Sequence, residues 1–211
     1  MGRFSIYGGM VMDPILLDIP EQFETERLLL RAPQNGDGAM VNEAIRESFE
    51  FLHEWMKWAD HIPKTEETEA NARKHRANFL LREAFTFYIL DKLSGAFVGT
   101  CSLVRADWQV RRFEIGYWIR QSAARRQGFM SEAVDGVTQF AFKNLQANRI
   151  EIRCDTRNSA SCRVAERCGY HLEGILINNF IAPAGDLRDD CLYAKVRLKN
   201  GSFGYPTLTS K

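Results

Sequence analysis

The sequence predicts a single mixed α/β domain with elements in the order β-αα-βββ-α-β-α-ββ, and three features carry that prediction. Three strand-like stretches follow one another over residues 85–119, and two stretches of helical period precede them. At residues 113–133 a strand runs through a short basic loop with one glycine into a long helix. At 211 residues the chain can fill one core well and is short for two.

Taken in order, residues 1–24 read as an irregular leader, and 26–31 as a short strand closed by Ala32-Pro33. Over 37–60, Val41, Ile45, Phe49, Leu52, Trp55 and Met56 recur at helical spacing until Ile62-Pro63 breaks the pattern. Thr65 reads as an N-cap, with Glu66, Glu67 and Glu69 in the first turn of a second helix reaching about residue 83. Strands follow at 85–90, 96–104 and 113–119; in the last, Phe113, Ile115, Tyr117 and Ile119 alternate with Glu114, Gly116 and Trp118. The helix at 131–145 carries Val134, Val137, Phe140, Ala141 and Leu145 on one stripe. A strand at 149–155, a short helix at 159–168 stopped by Gly169, and strands at 170–180 and 190–198 complete the domain. Residues 199–211 read as a flexible tail, so the domain is bounded at 25–198, with no internal repeat or interdomain linker.

Composition restricts the function. With 45% hydrophobic and 26% charged residues and a formal charge of +1, neither nucleic acid nor a membrane is an expected partner. No apolar run approaches the roughly 18 to 20 residues that span a bilayer. The first 20 residues lack the apolar stretch of about 7 to 15 residues of a signal peptide. Ile6 also stands where myristoylation requires Ser or Thr. Cys101, Cys154, Cys162, Cys168 and Cys191 are odd in number and form no CxxC pair, which fits reduced, mostly buried thiols in a cytoplasm. His53, His61, His75 and His171 are scattered without ligand spacing, so no metal is expected.

The basic loop before the long helix leaves backbone N–H groups at a helix N-terminus, a site for phosphate or pyrophosphate. Glu114 interrupts an apolar, aromatic strand; burial would raise its pKa and make it a candidate general base. Alternatively it faces solvent or pairs with Arg111 or Arg112. Asn158 or Ser159 can cap the following helix, with Ser161 in its first turn. Trp55, Met56 and Trp58 either floor a groove or belong to the core. Asp186, Asp189 and Asp190 either attract a cationic amine or make a polar hairpin turn. A nucleotide-binding protein is unsupported, because neither GxxxxGK[ST] nor GxGxxG occurs.

The element order, the run Glu114-Ile115-Gly116-Tyr117-Trp118, the loop 124–133, the segment Asn158-Ser159-Ala160-Ser161 and the helix end at 166–174 together resemble the GNAT acetyltransferases. Among these the chain is most similar to the ribosomal-protein N-terminal acetyltransferases of RimJ/RimL type, over about residues 24–198. The resemblance implies an α+β GNAT fold: a central mixed, mostly antiparallel sheet of six to seven strands flanked by about four helices. Its parallel strands, 113–119 and 149–155 here, would splay to admit pantetheine. It implies acetyl-CoA as co-substrate and direct transfer to a primary amine, best a protein or peptide N-terminal α-amine. A small-molecule amine as acceptor, or a catalytically silent acyl-CoA-binding module, are the alternatives, and a homodimer is left open.

The family's loop pattern, Arg/Gln-x-x-Gly-x-Gly/Ala, falls on Arg125, Arg126, Gln127, Gly128, Phe129 and Met130. Met130 departs from it, and Arg126 stands where a further glycine is common. By the same resemblance, cofactor contacts fall on Tyr117, Trp118, Ile119, these loop residues, Ser131 and Asn158. A backbone N–H near Trp118 would serve the oxyanion, Glu114 or a water it holds would take the amine's proton, and Ser161 would face the leaving thiolate.

Overall fold

The computed structural model of the protein describes residues 13–124, 128–182 and 184–206. Its strands are β1 (Gln22–Glu24), β2 (Leu28–Arg31), β3 (Phe85–Asp91), β4 (Phe97–Asp107), β5 (Arg112–Ile119), β6 (Arg149–Asp155), β7 (His171–Ile181), β8 (Leu187–Arg197) and β9 (Phe203–Gly204). The helices are α1 (Gly38–Trp55), α2 (Thr65–Leu80), α3 (Gln121–Ala124), α4 (Phe129–Asn144) and α5 (Ser159–Arg167). One sheet runs β1-β2-β3-β4-β5-β6-β8-β7, with β9 pairing β8. Every pairing is antiparallel except β5 with β6.

Period-two alternation divides the sheet's faces. Phe85, Phe87 and Ile89 of β3, Cys101 and Leu103 of β4, and Phe113 and Ile115 of β5 are buried on one face. There they share a core with Val134, Val137, Phe140 and Ala141 of α4. The opposite face takes α1 through Val41, Ala44, Ile45 and Leu52, spaced three and four apart, against Tyr88, Phe97 and Trp118. This second face is not apolar throughout. Register makes one row of Tyr88, Thr100 and Trp118, and the next row of Thr86, Ser102 and Gly116. Small polar side chains in the second row give α1 and α2 nothing apolar to close upon, and a gap remains there.

The sequence expectation of six to seven strands and about four helices is corrected to nine strands and five helices among the described residues. β1 and β9, three and two residues long, are too short for alternation to register in the sequence. They fall within the expected leader and tail. Phe203 stacks on Phe142 at 3.8 Å and Tyr205 on His171 at 4.0 Å, so the tail is packed at least that far. α3 is a single turn inside the stretch read as loop, and α4 starts two residues earlier than expected, at Phe129. Thr65 is the first helical residue of α2 instead of its cap; Glu67 Oε2 accepts the Lys64 N–H at 2.8 Å.

Glu69 of α2 fastens the start of α1. Its carboxylate accepts the N–H groups of Gly36 and Gly38 at 3.0 and 2.9 Å and pairs with Arg73 at 2.8 Å. These contacts hold its pKa down at about 2. A depressed carboxylate contributes stability above its unfolded pKa and loses it as pH falls through the folded one. The contribution should therefore be whole above about pH 4.5 and vanish towards pH 2. In urea titrations from pH 7 to 3, Glu69→Gln should lie below wild type at neutral pH, and the gap should narrow steadily below about pH 4.5. A constant gap would refute this.

Candidate active site

β5 and β6 pair only from Arg112/Arg149 to Ile115/Ile152, although β5 continues to Ile119 and β6 to Asp155. Beyond Ile115 the two strands diverge, and the backbone of β5 over 116–119 has no ladder partner in β6. A cavity of about 100 Å³ lies in this region, lined among others by Trp55, Met56, Tyr117, Trp118, Met130 and Ser161. Ile119 and Asn158 line it too. A narrow, mostly apolar slot beside unpaired strand backbone suits an extended chain with amide groups, which is the chemistry of a pantetheine arm.

Two helices begin near the slot. α4 follows Gly128, which has φ +92° and caps the helix without a side chain. That left-handed conformation favours glycine. Glu132, in the first turn, is turned back onto Thr25 Oγ1 and the Arg27 side chain, both at 2.6 Å. Phe129 is buried in the core, with the Arg27 guanidinium over its ring at 4.7 Å. Met130, which departs from the family pattern, points inward and forms part of the slot's wall. Both side chains thus leave the helix start to backbone N–H groups, as a phosphate cradle requires. Ser131 does not line the slot; its carbonyl accepts the Cys168 thiol. Arg125, Arg126 and Gln127 lie outside the described residues.

At α5 the capping and functional readings of Asn158 are compatible. Its Oδ1 accepts the Ser161 N–H at 3.0 Å while the residue still lines the slot. The Tyr117 hydroxyl reaches across to Ser161, 2.8 Å from Oγ and 3.1 Å from its carbonyl oxygen. Burial pushes the Tyr117 hydroxyl well above its ordinary pKa, so it keeps its proton. Tyr117 can donate to Ser161 Oγ and leave the serine O–H free to donate into the slot. This hydroxyl pair was not foreseen from the sequence, because the residues lie 44 apart in the chain. The Cys154 and Cys162 thiols lie 3.5 Å apart beside it, and burial raises Cys154.

A second cavity, of about 400 Å³, fills the gap on the α1/α2 face. Its walls include Trp58, His75, Thr86, Ser102, Gly116 and Trp118. It shares Met56, Tyr117 and Trp118 with the slot, so the two spaces meet at those side chains. Trp55, Met56 and Trp58 accordingly form cavity wall. Glu114 is on the same sheet face but is not part of this lining. Its carboxylate is held by Arg105 at 3.1 Å and Arg153 at 3.4 Å, not by Arg111 or Arg112. Burial raises its pKa, and the two guanidinium groups oppose the rise. The aspartates belong to the β7–β8 hairpin: Asp186 pairs with Arg157 and Arg188, Asp189 accepts the Asn178 N–H, and Asp190 accepts from Asn179. Among the described residues, no cluster of His, Cys, Asp and Glu could hold a metal, and no helix is long and apolar enough to cross a membrane.

Residues 27–171 match the family model of the acetyltransferase (GNAT) domain. The chain belongs to the GNAT family. As a GNAT enzyme it is an N-acetyltransferase that takes its acyl group from acetyl-CoA. It is 29% identical over 158 residues to the uncharacterized N-acetyltransferase p20 of Bacillus licheniformis, covering 74% of this chain and 85% of the relative. To the ribosomal-protein-serine acetyltransferase of Escherichia coli it is 27% identical over 177 residues, 82% of this chain and 94% of the relative. Its fold is that of the ribosomal α-N-protein acetyltransferase RimL in complex with coenzyme A, with a TM-score of 0.76 at 23% identity over 84% of this chain and 97% of that one. It is also that of the microcin self-immunity acetyltransferase MccE, with a TM-score of 0.75 at 21% identity over 82% of this chain and 93% of that one. Ribosomal-protein acetyltransferases are thus among the proteins this chain is similar to.

Proposed function

We propose that this acetyltransferase modifies the N-terminal α-amine of a protein or peptide. The meeting of the two cavities at Met56, Tyr117 and Trp118 carries the reading. On the donor side the slot is narrow. On the acceptor side the space is fourfold larger, and Trp58 at its wall is 48% exposed. An open cleft with an exposed indole accommodates a chain end together with its first side chain, where a polyamine would leave much of it unfilled. The name of the Escherichia coli relative, a ribosomal-protein-serine acetyltransferase, points the same way.

In this reading the amine attacks the thioester carbonyl at the junction. A C–N bond forms, the C–S bond breaks, and the thiolate takes a proton from the Ser161 hydroxyl backed by Tyr117. A β5 backbone N–H near Trp118 bears on the oxyanion, and the N-terminus of α4, with Arg125, Arg126 and Gln127 ahead of it, takes the pyrophosphate. A reducing cytoplasm keeps all five thiols free. Thiol release from acetyl-CoA should be measured with peptides beginning in Ser, Ala or Met beside spermidine and an aminoglycoside. Peptides should give a kcat/KM at least about 100-fold higher. The reverse order would assign a small-molecule acceptor, and coenzyme binding without release on any amine would make the domain a silent module.

A further inference from the structure

The acceptor amine is largely an ammonium ion at neutral pH, because an α-amino group titrates near about 7.7 to 8.0. It must lose a proton before its lone pair can attack. The sheet rows show which group can receive it. Glu114 stands four residues along β5 from Trp118, roughly 13 Å at strand rise, and is paired with two arginines. The row between them is Thr86, Ser102 and Gly116. His75 of α2 lies over that row, with Nδ1 3.2 Å from Thr86 Oγ1. Ser102 Oγ donates to the same Thr86 oxygen at 3.2 Å. Among the described residues His75 Nε2 makes no hydrogen bond, and the residue is part of the acceptor cavity's wall.

We propose that His75 is the proton acceptor of the transfer reaction, with Thr86 Oγ1 accepting its Nδ1–H and so presenting the Nε2 lone pair to the amine. A hydroxyl oxygen has two lone pairs, so Thr86 can accept from Ser102 and from His75 together. The ammonium gives one proton to Nε2, and the freed amine attacks the thioester. The second proton from that nitrogen passes to Ser161 Oγ as the serine's own proton goes to the departing thiolate, and the imidazolium returns its proton to water. The inference rests on the acetyl-transfer reading above and not on which amine is the acceptor.

Charge around the imidazole favours the neutral base. Among the described residues, no carboxylate, lysine or arginine lines the cavity with it. The lining beside it is Val41 and Ile45 from α1, Thr68 and Asn71 from α2, Thr86 and Tyr88 from β3, Thr100, Ser102 and Val104 from β4, and Gly116, Tyr117 and Trp118 from β5. Burial keeps both tyrosines protonated. Burial also draws His75 below the ordinary imidazole value, so it enters the reaction unprotonated.

The test is kcat/KM against pH for the full-length wild type, His75→Gln and Glu114→Gln, on whichever amine the wild type acetylates best. In wild type the acid limb should lie below about pH 6.5. His75→Gln should lose about 100-fold and move that limb up to the amine's own titration, with acetyl-CoA affinity unchanged. Glu114→Gln should leave the limb in place. A second readout needs no turnover: nitrogen NMR of the full chain, with His75 assigned by its disappearance in His75→Gln, should show the Nδ1–H tautomer. A His75→Gln rate within threefold of wild type, a limb that moves only in Glu114→Gln, or an Nε2–H tautomer would each overturn the proposal. Failure of the peptide reading would show in the wild-type acceptor panel alone and leave this result standing.

Discussion

Ser161→Ala should lower kcat about 100-fold or more while acetyl-CoA binding stays within about twofold. The separation follows from what the substitution removes. The α5 cap depends on Asn158 Oδ1 and the Ser161 backbone N–H, and alanine keeps that N–H. Only Oγ is lost, and with it the slot-lining hydroxyl to which the proposed mechanism assigns the leaving thiolate. Tyr117→Phe should cost less, about tenfold, since its hydroxyl acts through Ser161 Oγ at 2.8 Å. The double variant should resemble Ser161→Ala alone, because the second change removes a partner whose target is already gone. Single-turnover thiol release beside calorimetric binding checks all three. A Ser161→Ala kcat within threefold of wild type, or additive losses in the double variant, would remove the hydroxyl pair from the mechanism.

The order of elements was legible because it rests on local patterns. Alternation in Phe113–Ile119 and the three- and four-residue spacing of Val41, Ile45 and Leu52 are repeated signals over many residues. Short elements escape such reading. β1 and β9 exist because a neighbouring strand offers pairing, as Phe23 to Leu30 and Phe203 to Arg197 show, and two or three residues carry no period. Thr65 looked like a cap by residue type, yet the Glu67 carboxylate satisfies the Lys64 N–H and starts the helix one residue earlier than that cap implied.

The site was legible in its loop-to-helix units and illegible where distant strands meet. Asn158 and Ser161 sit in one turn, so their motif survives as a string. Tyr117 with Ser161, and His75 with Thr86 and Ser102, are brought together only by sheet register and helix packing. One signal was available for the second group: Thr86, Thr100, Ser102 and Gly116 interrupt the same face of three consecutive strands, which marks where a face is left uncovered. Glu114 shows the same limit in its choice of partner. The sequence offered it as a base, or as facing solvent or paired with Arg111 or Arg112, but Arg105 reaches it from a β-bulge at φ +50°, a conformation that the sequence does not advertise.

Gly99→Ala should destabilise the protein by about 2 to 5 kcal/mol, the sum of a strained backbone and an overpacked contact. Gly99 lies beside a bulge in β4, at φ +155°, opposite Ile119 of β5. A Cβ there would stand 2.2 Å from the Trp118 carbonyl oxygen and 2.9 Å from Ile119 Cα. Both are backbone atoms in a ladder and cannot turn aside. The strands would have to part next to the row that holds Trp118, one of the side chains common to both cavities, so acetyl transfer should fall with stability. Gly116→Ala is the informative contrast, because a Cβ at Gly116 meets nothing within 4 Å. That variant should keep its urea midpoint while its methyl group enters the acceptor cavity and raises the KM for the amine, leaving acetyl-CoA binding unchanged. If both variants lost stability equally, close approach at Gly99 would not be what distinguishes them. If Gly116→Ala left the acceptor KM untouched, the space over Thr86, Ser102 and Gly116 would not be where the amine binds.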